Sequence, residues 1–336
     1  YWMETLGQFS VEINTSSSSR DIAWRAQACS SSTLTDQRFR ENAMSVAIWF
    51  QNFCATLQVD TVATISLRYA AITTRLNTDF WKTTSSTAHS LYAGSYGRNT
   101  AIRGFSDLDM VFHLPQSLYA RYDSYANNGQ SALLQAVKTS IERTYSRTSV
   151  RGDGQVIQVP FTDGITFEVV PVFQNMDGSY TYPDANGGGR WRQTDPRAEI
   201  AAIRNRNADV NGNLVPLGRM MRQWKAEWSV PISGLLIDTL AYQFIENYEH
   251  RGKSYYYYDF LCRDFFKFMS ERSRTQNYWR APGSGHQVFG GELFQYKALR
   301  CYNLAVEAIS HELATPKREY SAKQKWRDIF GSRFTG

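Results

Sequence analysis

The residues that point to chemistry lie between positions 94 and 115, in the run GSYGRNTAIRGFSDLDMVFHLP. Gly94-Ser95 is a small turn that can bring backbone N–H groups and a hydroxyl against a phosphate, because no large side chain stands in the way. The stretch from Asp107 to Phe112 is predicted to be a strand, and residues two apart in a strand point to the same face. Asp107 and Asp109 would therefore present two carboxylates together.

Such a pair of carboxylates is suited to a divalent cation. Two adjacent carboxylates repel each other unless a cation lies between them, and oxygen ligands suit Mg²⁺ or Mn²⁺. Together with a phosphate-binding turn, such a pair is typical of enzymes that carry out metal-assisted phosphoryl or nucleotidyl transfer. An isolated D-x-D is more often a solvated strand face, but the Gly-Ser turn at this spacing favours the functional interpretation.

A third acid, Glu168, is the only acidic residue in the apolar run TFEVVPVF. A lone buried carboxylate costs several kcal/mol unless it is paired or bound to a metal. We therefore predict that Glu168 is a third metal ligand. The alternatives are a salt bridge to Arg103 or Arg151, or replacement of Glu168 as ligand by Asp163, whose Thr-Asp-Gly setting is typical of a hairpin turn.

A row of basic residues follows in LGRMMRQWKAEW, where Arg219, Arg222 and Lys225 recur at every third position. In a helix these residues lie along one side, and a solvated face is the common interpretation of such a row. Ser233 comes shortly afterwards and could equally be the N-cap of the next helix.

Composition limits the class of protein. The chain has 336 residues, which is enough for two lobes with separate cores, and 42% of them are hydrophobic against 20% charged, as in soluble globular proteins. The net charge of +6 is modest, and a nucleoside triphosphate pocket alone needs several cations, so an obligatory long nucleic acid partner is not expected.

Neither cysteine spacing nor hydropathy indicates an extracellular or membrane protein. The four cysteines are widely spaced and form no C-x-x-C motif, which argues against a zinc ribbon or a disulfide framework. No apolar run approaches the ~18 residues that span a bilayer, and no signal peptide is evident. We expect a cytoplasmic protein without membrane partners.

The elements around these motifs predict an early α+β lobe and a later helical lobe. Residues 1–33 are predicted to be a loose lead-in, 34–195 the catalytic lobe with its N-terminal helices, and 196–336 a helical lobe that closes the nucleotide pocket and ends in a flexible tail. The predicted helices are about 34–57, 61–80, 197–208, 214–228, 233–250, 255–272, 290–313 and 321–330, the last with a capping box at Ser321 and Gln324. The strands are 91–93, 107–112 and a hairpin of 156–159 with 165–173, whereas 183–195 is predicted to be a loop.

The G-S turn followed by D-x-D resembles the DNA-polymerase-β-type nucleotidyltransferases. In that superfamily the third carboxylate lies in a strand just before a Val-Pro and is most often Asp, whereas this chain has Glu168. The resemblance implies that Asp107, Asp109 and Glu168 are catalytic residues that hold two Mg²⁺ or Mn²⁺ ions, and that Gly94 and Ser95 bind nucleotide.

The basic helix is similar to the L-x-R-x-x-K-x-W pattern of oligoadenylate synthases and their bacterial relatives. Arg219 and Trp224 match it, and Arg222 stands where Lys is usual. The resemblance implies that Arg219 and Arg222 hold the donor triphosphate, with Ser233 nearby. Relatives often place a base-stacking ring after this Ser, but here Gly234 follows.

Three segments narrow the resemblance to the bacterial cGAS/DncV-like nucleotidyltransferases (CD-NTases) of anti-phage signalling operons. They are the run from Gly94 to Asp107, W-x-x-T-x-P at 191–196, and WRDIFG at 326–331. This family implies an α+β fold with a mixed sheet, a helical second lobe and a long N-terminal helix that braces both. It also implies synthesis of a cyclic di- or trinucleotide from NTPs with release of pyrophosphate.

Other functions remain open at this point. An oligoadenylate-synthase-like enzyme with linear products has the same core, and an RNA-extending transferase is a weaker alternative. A catalytically silent nucleotide-binding module would explain why Glu168 stands where the superfamily usually has Asp. Besides NTPs, the expected partner is an operon-encoded ligase that joins Gly336 to a target, as happens in some relatives. Alternatively, Gly336 merely ends a flexible tail.

Overall fold

In the computed structural model, the described residues are 33–104, 107–290 and 293–336, with side chains described from residue 45 onward. The predicted lead-in at 1–33 therefore lies outside the described residues, apart from Thr33, where the first helix begins.

A mixed seven-stranded sheet forms the catalytic lobe, with strand order β1-β2-β5-β4-β3 and with β6 pairing both β5 and β7. The strands β2 and β5 are parallel, and the other pairs are antiparallel. The bounds are β1 Ser90–Tyr92, β2 Leu108–His113, β3 Arg151–Asp153, β4 Val156–Pro160, β5 Thr166–Gln174, β6 Tyr180–Asp184 and β7 Arg190–Thr194. The predicted loop at 183–195 is wrong, because most of it belongs to the β6–β7 hairpin.

Helices cover this sheet and bury its alternating apolar residues. Met110 and Phe112 of β2 and Phe167 and Val169 of β5 are fully buried in the core of the lobe. The covering helices are α2 Val62–Leu76, which continues as a π-helical turn Asn77–Trp81, α3 Gly94–Gly97, α4 Gln116–Asp123 and α5 Gly129–Glu142. The predicted mixed-sheet α+β lobe is confirmed.

The second lobe is helical, as predicted, with one added hairpin. Its elements are α6 Pro196–Asp209, α7 Leu214–Glu227, α8 Gly234–Glu246, α9 Tyr258–Ser270, β8 Tyr278–Arg280, β9 Gln287–Phe289, α10 Gln295–Leu313 and α11 Glu319–Phe330. The predicted capping box does not start α11, because that helix already begins at Glu319 after Arg318. Within the described part of the chain, no helix is both long and apolar enough to span a membrane.

The long N-terminal helix α1, Thr33–Thr56, packs on the helical lobe. Phe50 and Phe53 of α1 are fully buried in the same core as Trp326 and Phe330 of α11. The predicted grouping of this helix with residues up to 195 is therefore wrong: its apolar stripe faces the last helices of the chain, whereas α2 packs on the sheet.

The C-terminal segment also packs on α1. Phe334 is fully buried and lies edge-on to Phe50, with its ring centroid 5.4 Å away. Arg327 donates hydrogen bonds to the carbonyl oxygens of Phe334 and Thr335, each at 3.1 Å. The prediction of a flexible tail is wrong up to Thr335, since an aromatic side chain anchors what sequence reasoning treated as a polar stretch.

Candidate active site

The Gly-Ser turn packs directly against β2, the strand that carries Asp109. Gly94 begins α3 with φ +52°, and a Cβ at this position would overlap the carboxylate of Asp109. The N–H of Ala93 donates to the carbonyl oxygen of Asp109 at 2.9 Å. Glycine is required here both for the backbone conformation and for the close approach of the turn to the carboxylate of Asp109.

Two of the three predicted carboxylates are neighbours in the sheet. Asp109 and Glu168 are directly paired in register on the parallel strands β2 and β5, and both are half-buried. Asp107 is exposed and immediately precedes β2. Burial raises the pKa of Asp109 to about 6, with a further rise from Glu168 and a smaller one from Asp107, while Arg98 opposes these effects. The carboxylates of Asp107, Asp109 and Glu168 therefore repel one another beside the Gly-Ser turn.

Glu168 is oriented by an amide and not by a cation. Gln158, its direct neighbour in register on β4, donates from Nε2 to Oε1 of Glu168 at 3.1 Å. The same amide lies 3.5 Å from a carboxylate oxygen of Asp153. One oxygen of Glu168 is thus engaged by a neutral donor, which leaves the negative charge of the side chain unneutralised.

The cations that sequence reasoning offered as partners of the third acid bind elsewhere. Arg103 forms a salt bridge to Asp60 at 2.8 Å, and Arg151 donates to a serine hydroxyl. The competing acid Asp163 pairs with Arg68 at 2.8 Å and caps the turn between β4 and β5, as its Thr-Asp-Gly setting indicated.

The three carboxylates fit a hard divalent cation by their chemistry, since all donors are oxygen. In the part of the chain that the structure describes, no three His, Cys, Asp or Glu side chains have already converged as a ligand set. Asp109 and Glu168 form the assembled part, and Asp107 lies next to residues 105 and 106, which are outside the described residues. Metal ligation by Asp107, Asp109 and Glu168 stays a prediction.

Arg219 reaches the loop that follows the Gly-Ser turn. Its guanidinium donates to the backbone carbonyl of Asn99 at 3.1 Å and to the side-chain oxygen of Asn99 at 2.7 Å. Asn99 adopts a left-handed conformation with φ 59°, just after α3. The structure thus brings one predicted phosphate-binding residue of α7 to the predicted phosphate-binding turn.

Arg222 is placed differently. It is buried, and it donates to both carboxylate oxygens of Asp238 at 2.6 and 2.8 Å and to the carbonyl oxygens of Gly218 and Gly234 at 3.2 and 3.0 Å. A triphosphate could bind Arg222 only if the guanidinium left Asp238. The predicted phosphate contact therefore stays a prediction, and a structural role stands beside it.

Ser233 is the N-cap of α8, the alternative that the sequence left open. Its hydroxyl oxygen accepts the N–H of Leu236 at 3.1 Å, and the residue is exposed. Trp224, the other match to the basic-helix pattern, is fully buried, and its indole N–H points to the sulfur of Cys301 at 3.1 Å. Nucleotide binding by Ser233 stays a prediction.

Sequence reasoning missed a buried ionic cluster beside the turn. We call it the interlobe cluster, and it consists of Arg98, Glu199, Arg222 and Asp238. Asp238 is the lone acid in the apolar run GLLIDTLAY. The logic that singled out Glu168 in an apolar strand would have found Asp238 as well.

Comparison with known proteins finds a matching family profile and related synthases. The family profile of the "Second Messenger Oligonucleotide or Dinucleotide Synthetase domain" (SMODS) matches residues 44–207. A "Probable cyclic nucleotide synthase" of Bacillus cereus is 23% identical over 276 residues, which is 72% of this chain and 80% of that protein. A "Cyclic AMP-AMP-AMP synthase" of Acinetobacter sp. is 22% identical, over 73% of this chain and 72% of that protein.

Solved structures share the fold. CdnC of E. coli MS115-1, in a complex with ATP, matches with a TM-score of 0.60 at 15% identity, over 86% of this chain and 98% of that one. DncV of Vibrio cholerae matches with a TM-score of 0.59 at 16% identity, over 74% of this chain and 69% of that one. The SMODS match covers the Gly-Ser turn and all three carboxylates. Its motifs, its relatives and its fold all support a cGAS/DncV-like nucleotidyltransferase.

Proposed function

We propose that this nucleotidyltransferase condenses NTPs into a cyclic oligonucleotide, a cyclic di- or trinucleotide, and releases pyrophosphate. The observation that carries the proposal is the juxtaposition of the Gly-Ser turn with the register-paired carboxylates Asp109 and Glu168. The names of the two relatives, both cyclic nucleotide synthases, support a cyclic product.

Each element of the site has a role in this proposal. Gly94 and Ser95 offer backbone N–H groups to the donor phosphates, and Arg219 adds a positive charge on the far side of the turn. Asp107, Asp109 and Glu168 would hold two Mg²⁺ or Mn²⁺ ions. Such ions, when bound, neutralise the triphosphate and lower the pKa of the attacking ribose hydroxyl.

Product analysis tests this proposal. The purified protein is incubated with labelled NTPs and Mg²⁺ or Mn²⁺, and its products are separated after phosphatase treatment, which leaves a cyclic product intact. Linear oligonucleotides would instead favour the oligoadenylate-synthase-like alternative, and labelled RNA an RNA-extending transferase. The absence of any product with every NTP mixture would support a silent binding module.

A matched pair of variants ties the product to this site. Asp109→Asn removes a carboxylate at the Gly-Ser turn, whereas Asp163→Asn removes one that pairs with Arg68 in the hairpin turn. We expect the cyclic product to vanish in the first variant and to persist in the second. Equal loss in both variants would mean that a general change of charge or stability, and not the site, controls synthesis.

The family resemblance also supports a role in anti-phage defence, in the cytoplasm. In this proposal, cells that carry the intact operon resist phage and cells that carry Asp109→Asn do not. Equal plaque formation on the two strains would contradict the defence role while leaving the chemistry untouched.

Conjugation through Gly336 is a separate proposal, and the packed tail sharpens it. A ligase would meet exposed Thr335 and half-exposed Gly336, whereas Phe334 is buried and would have to leave its site for a longer segment to enter an enzyme channel. Co-expression with the operon ligase should give a heavier covalent species that disappears in Gly336→Glu. Adducts that persist in this variant would end the proposal.

A further inference from the structure

Four charged side chains of the two lobes are buried together in the interlobe cluster. Arg98, Glu199, Arg222 and Asp238 retain 7%, 7%, 6% and 1% of their accessible surface. The two guanidinium groups and two carboxylates balance in charge. Arg98 donates to Glu199 at 3.1 Å, and Ser284 donates to the other oxygen of Glu199 at the same distance.

Asp238 is the point at which the lobes meet. From the helical lobe, it accepts both hydrogen bonds of Arg222. From the catalytic lobe, it accepts Nε of Arg98 at 2.9 Å and the hydroxyl of Thr100 at 3.0 Å. One fully buried carboxylate thus has donors from both lobes.

The catalytic-lobe donors lead directly to the Gly-Ser turn. Arg98 is the residue that ends α3, and its N–H donates to the carbonyl of Gly94 at 3.1 Å. The N–H of Thr100 donates to the carbonyl of Ser95 at 2.8 Å. The position of Asp238 is therefore transmitted to Gly94 and Ser95 through two short connections.

Two glycines allow this close packing. A Cβ on Gly218 would lie 3.2 Å from Oδ1 of Asp238 and 3.3 Å from the methyl carbon of Thr100. A Cβ on Gly234 would lie 3.2 Å from a guanidinium nitrogen of Arg222. The helices α7 and α8 thus carry their smallest residue where the cluster needs space.

Stability alone is a poor reason for such a cluster. Replacement of a buried ion pair by apolar residues of similar volume is often neutral or stabilising, whereas a charged network specifies one arrangement of its members. On the basis of the proposed nucleotidyl transfer, we propose that Asp238 is a positioning residue, which holds the Gly-Ser turn at a fixed place relative to the helical lobe through Arg98 and Thr100. A donor phosphate bound between the Gly-Ser turn and α7 can then contact both at the same time.

A charge-balanced double variant tests this role. Arg98→Met with Glu199→Gln removes one positive and one negative charge and leaves the Arg222–Asp238 pair intact. We expect the melting temperature to stay within a few degrees of the wild type and kcat to fall at least about 10-fold, because a shift of about 1 Å in a reacting group can cost ~10²-fold in rate. Glu199→Gln alone is the matched control and should keep near-normal kcat, since Arg98 still reaches Asp238.

A pair of uncharged substitutions covers the case in which the double variant does not fold. Thr100→Val removes the hydroxyl that donates to Asp238 with little change of shape, and Thr100→Ser keeps it. We expect kcat to fall several-fold in Thr100→Val and to recover in Thr100→Ser. Equal kcat in both Thr100 variants, or wild-type kcat in a folded double variant, would overturn the proposal.

Hydrogen exchange separates this inference from the proposed function. Amides of residues 94–101 should exchange faster in the double variant than in Glu199→Gln, even if no NTP mixture yields a product. Unchanged exchange in these amides would overturn the positioning role. If the wild type makes no product but the two variants still differ in exchange, only the proposed function is overturned.

Discussion

Asp109 contacts the Gly-Ser turn directly, Asp238 is linked to it through Arg98 and Thr100, and the two acids experience opposite electrostatics. Burial would raise the pKa of Asp238, but Arg222 and Arg98 outweigh it and hold this pKa below the usual value. Burial and then Glu168 raise the pKa of Asp109 to about 6, and the opposing effect of Arg98 is too small to cancel them.

The two acids differ in whether the protein itself supplies the opposite charge. At Asp238 the protein supplies its own counter-charges, so the cluster is complete without a ligand. At Glu168 the described hydrogen-bond donor is the neutral amide of Gln158, and at Asp109 the positive charge of Arg98 does not offset burial and the negative charge of Glu168. This excess of negative charge is the reason for proposing a divalent cation at Asp109 and Glu168.

The largest expected effect comes from removing a negative charge at Asp107 or Asp109. Asp107→Asn or Asp109→Asn should lower turnover at least about 100-fold at saturating Mg²⁺, because a metal ligand is lost. Stability of the metal-free protein should hold or rise slightly, because repulsion is relieved. Turnover and melting temperature measure the two effects, and near-normal turnover in either variant would remove that residue from the ligand set.

Substitutions of Glu168 show whether the charge or the length of this side chain matters for activity. Glu168→Asp should keep measurable activity, whereas Glu168→Gln should lose most of it, because a carboxylate oxygen is what Mg²⁺ requires. Gln158→Leu should raise the Mg²⁺ concentration needed for half-maximal activity several-fold, since Glu168 loses its only described donor. Mn²⁺ binding followed by electron paramagnetic resonance checks the ligand role without turnover. If Glu168→Gln bound Mn²⁺ as tightly as the parent, the third ligand would lie elsewhere.

Substitutions of Arg222 test the interlobe cluster. We predict that Arg222→Ala raises the KM for NTP and that Arg222→Lys recovers much of it. The structure adds that Arg222→Ala should destabilise the protein by about 3 kcal/mol, because it leaves the two buried carboxylates of Glu199 and Asp238 with only one guanidinium group, that of Arg98. Kinetics and denaturant unfolding of the same variants separate the two roles. Loss of stability with an unchanged KM would make Arg222 purely structural.

The smallest expected effect is a pH dependence. A carboxyl whose pKa is raised on folding binds its proton more tightly in the folded state, so its contribution to stability falls as pH rises from about 4 to about 6. The metal-free wild type should therefore lose stability over this window relative to Asp109→Asn. Parallel melting-temperature profiles for the two proteins would show that Asp109 is not perturbed.

The catalytic strand and the helices were predictable because their signals are local. The G-S turn, the strand that carries Asp109 and the apolar strand around Glu168 lie within a residue or so of their expected positions. Asp107, which was expected within the strand, instead immediately precedes β2. The helices α6 to α10 likewise lie close to their predicted ranges. The small β8–β9 hairpin was missed because its three-residue strands carry too little pattern.

Local spacing in the chain was thus enough to identify the turn, the acids and the family. Tertiary packing alone decided the partners of the charges and of the apolar stripes. Arg219 and Arg222 recur on one helix at the same spacing, yet one meets Asn99 and the other Asp238. Phe334 follows a polar stretch, yet it is buried on α1. The reason is physical: the energy of a charge or a ring depends on what surrounds it, and those neighbours come from other elements of the fold, such as Asn99 for Arg219 and Phe50 for Phe334.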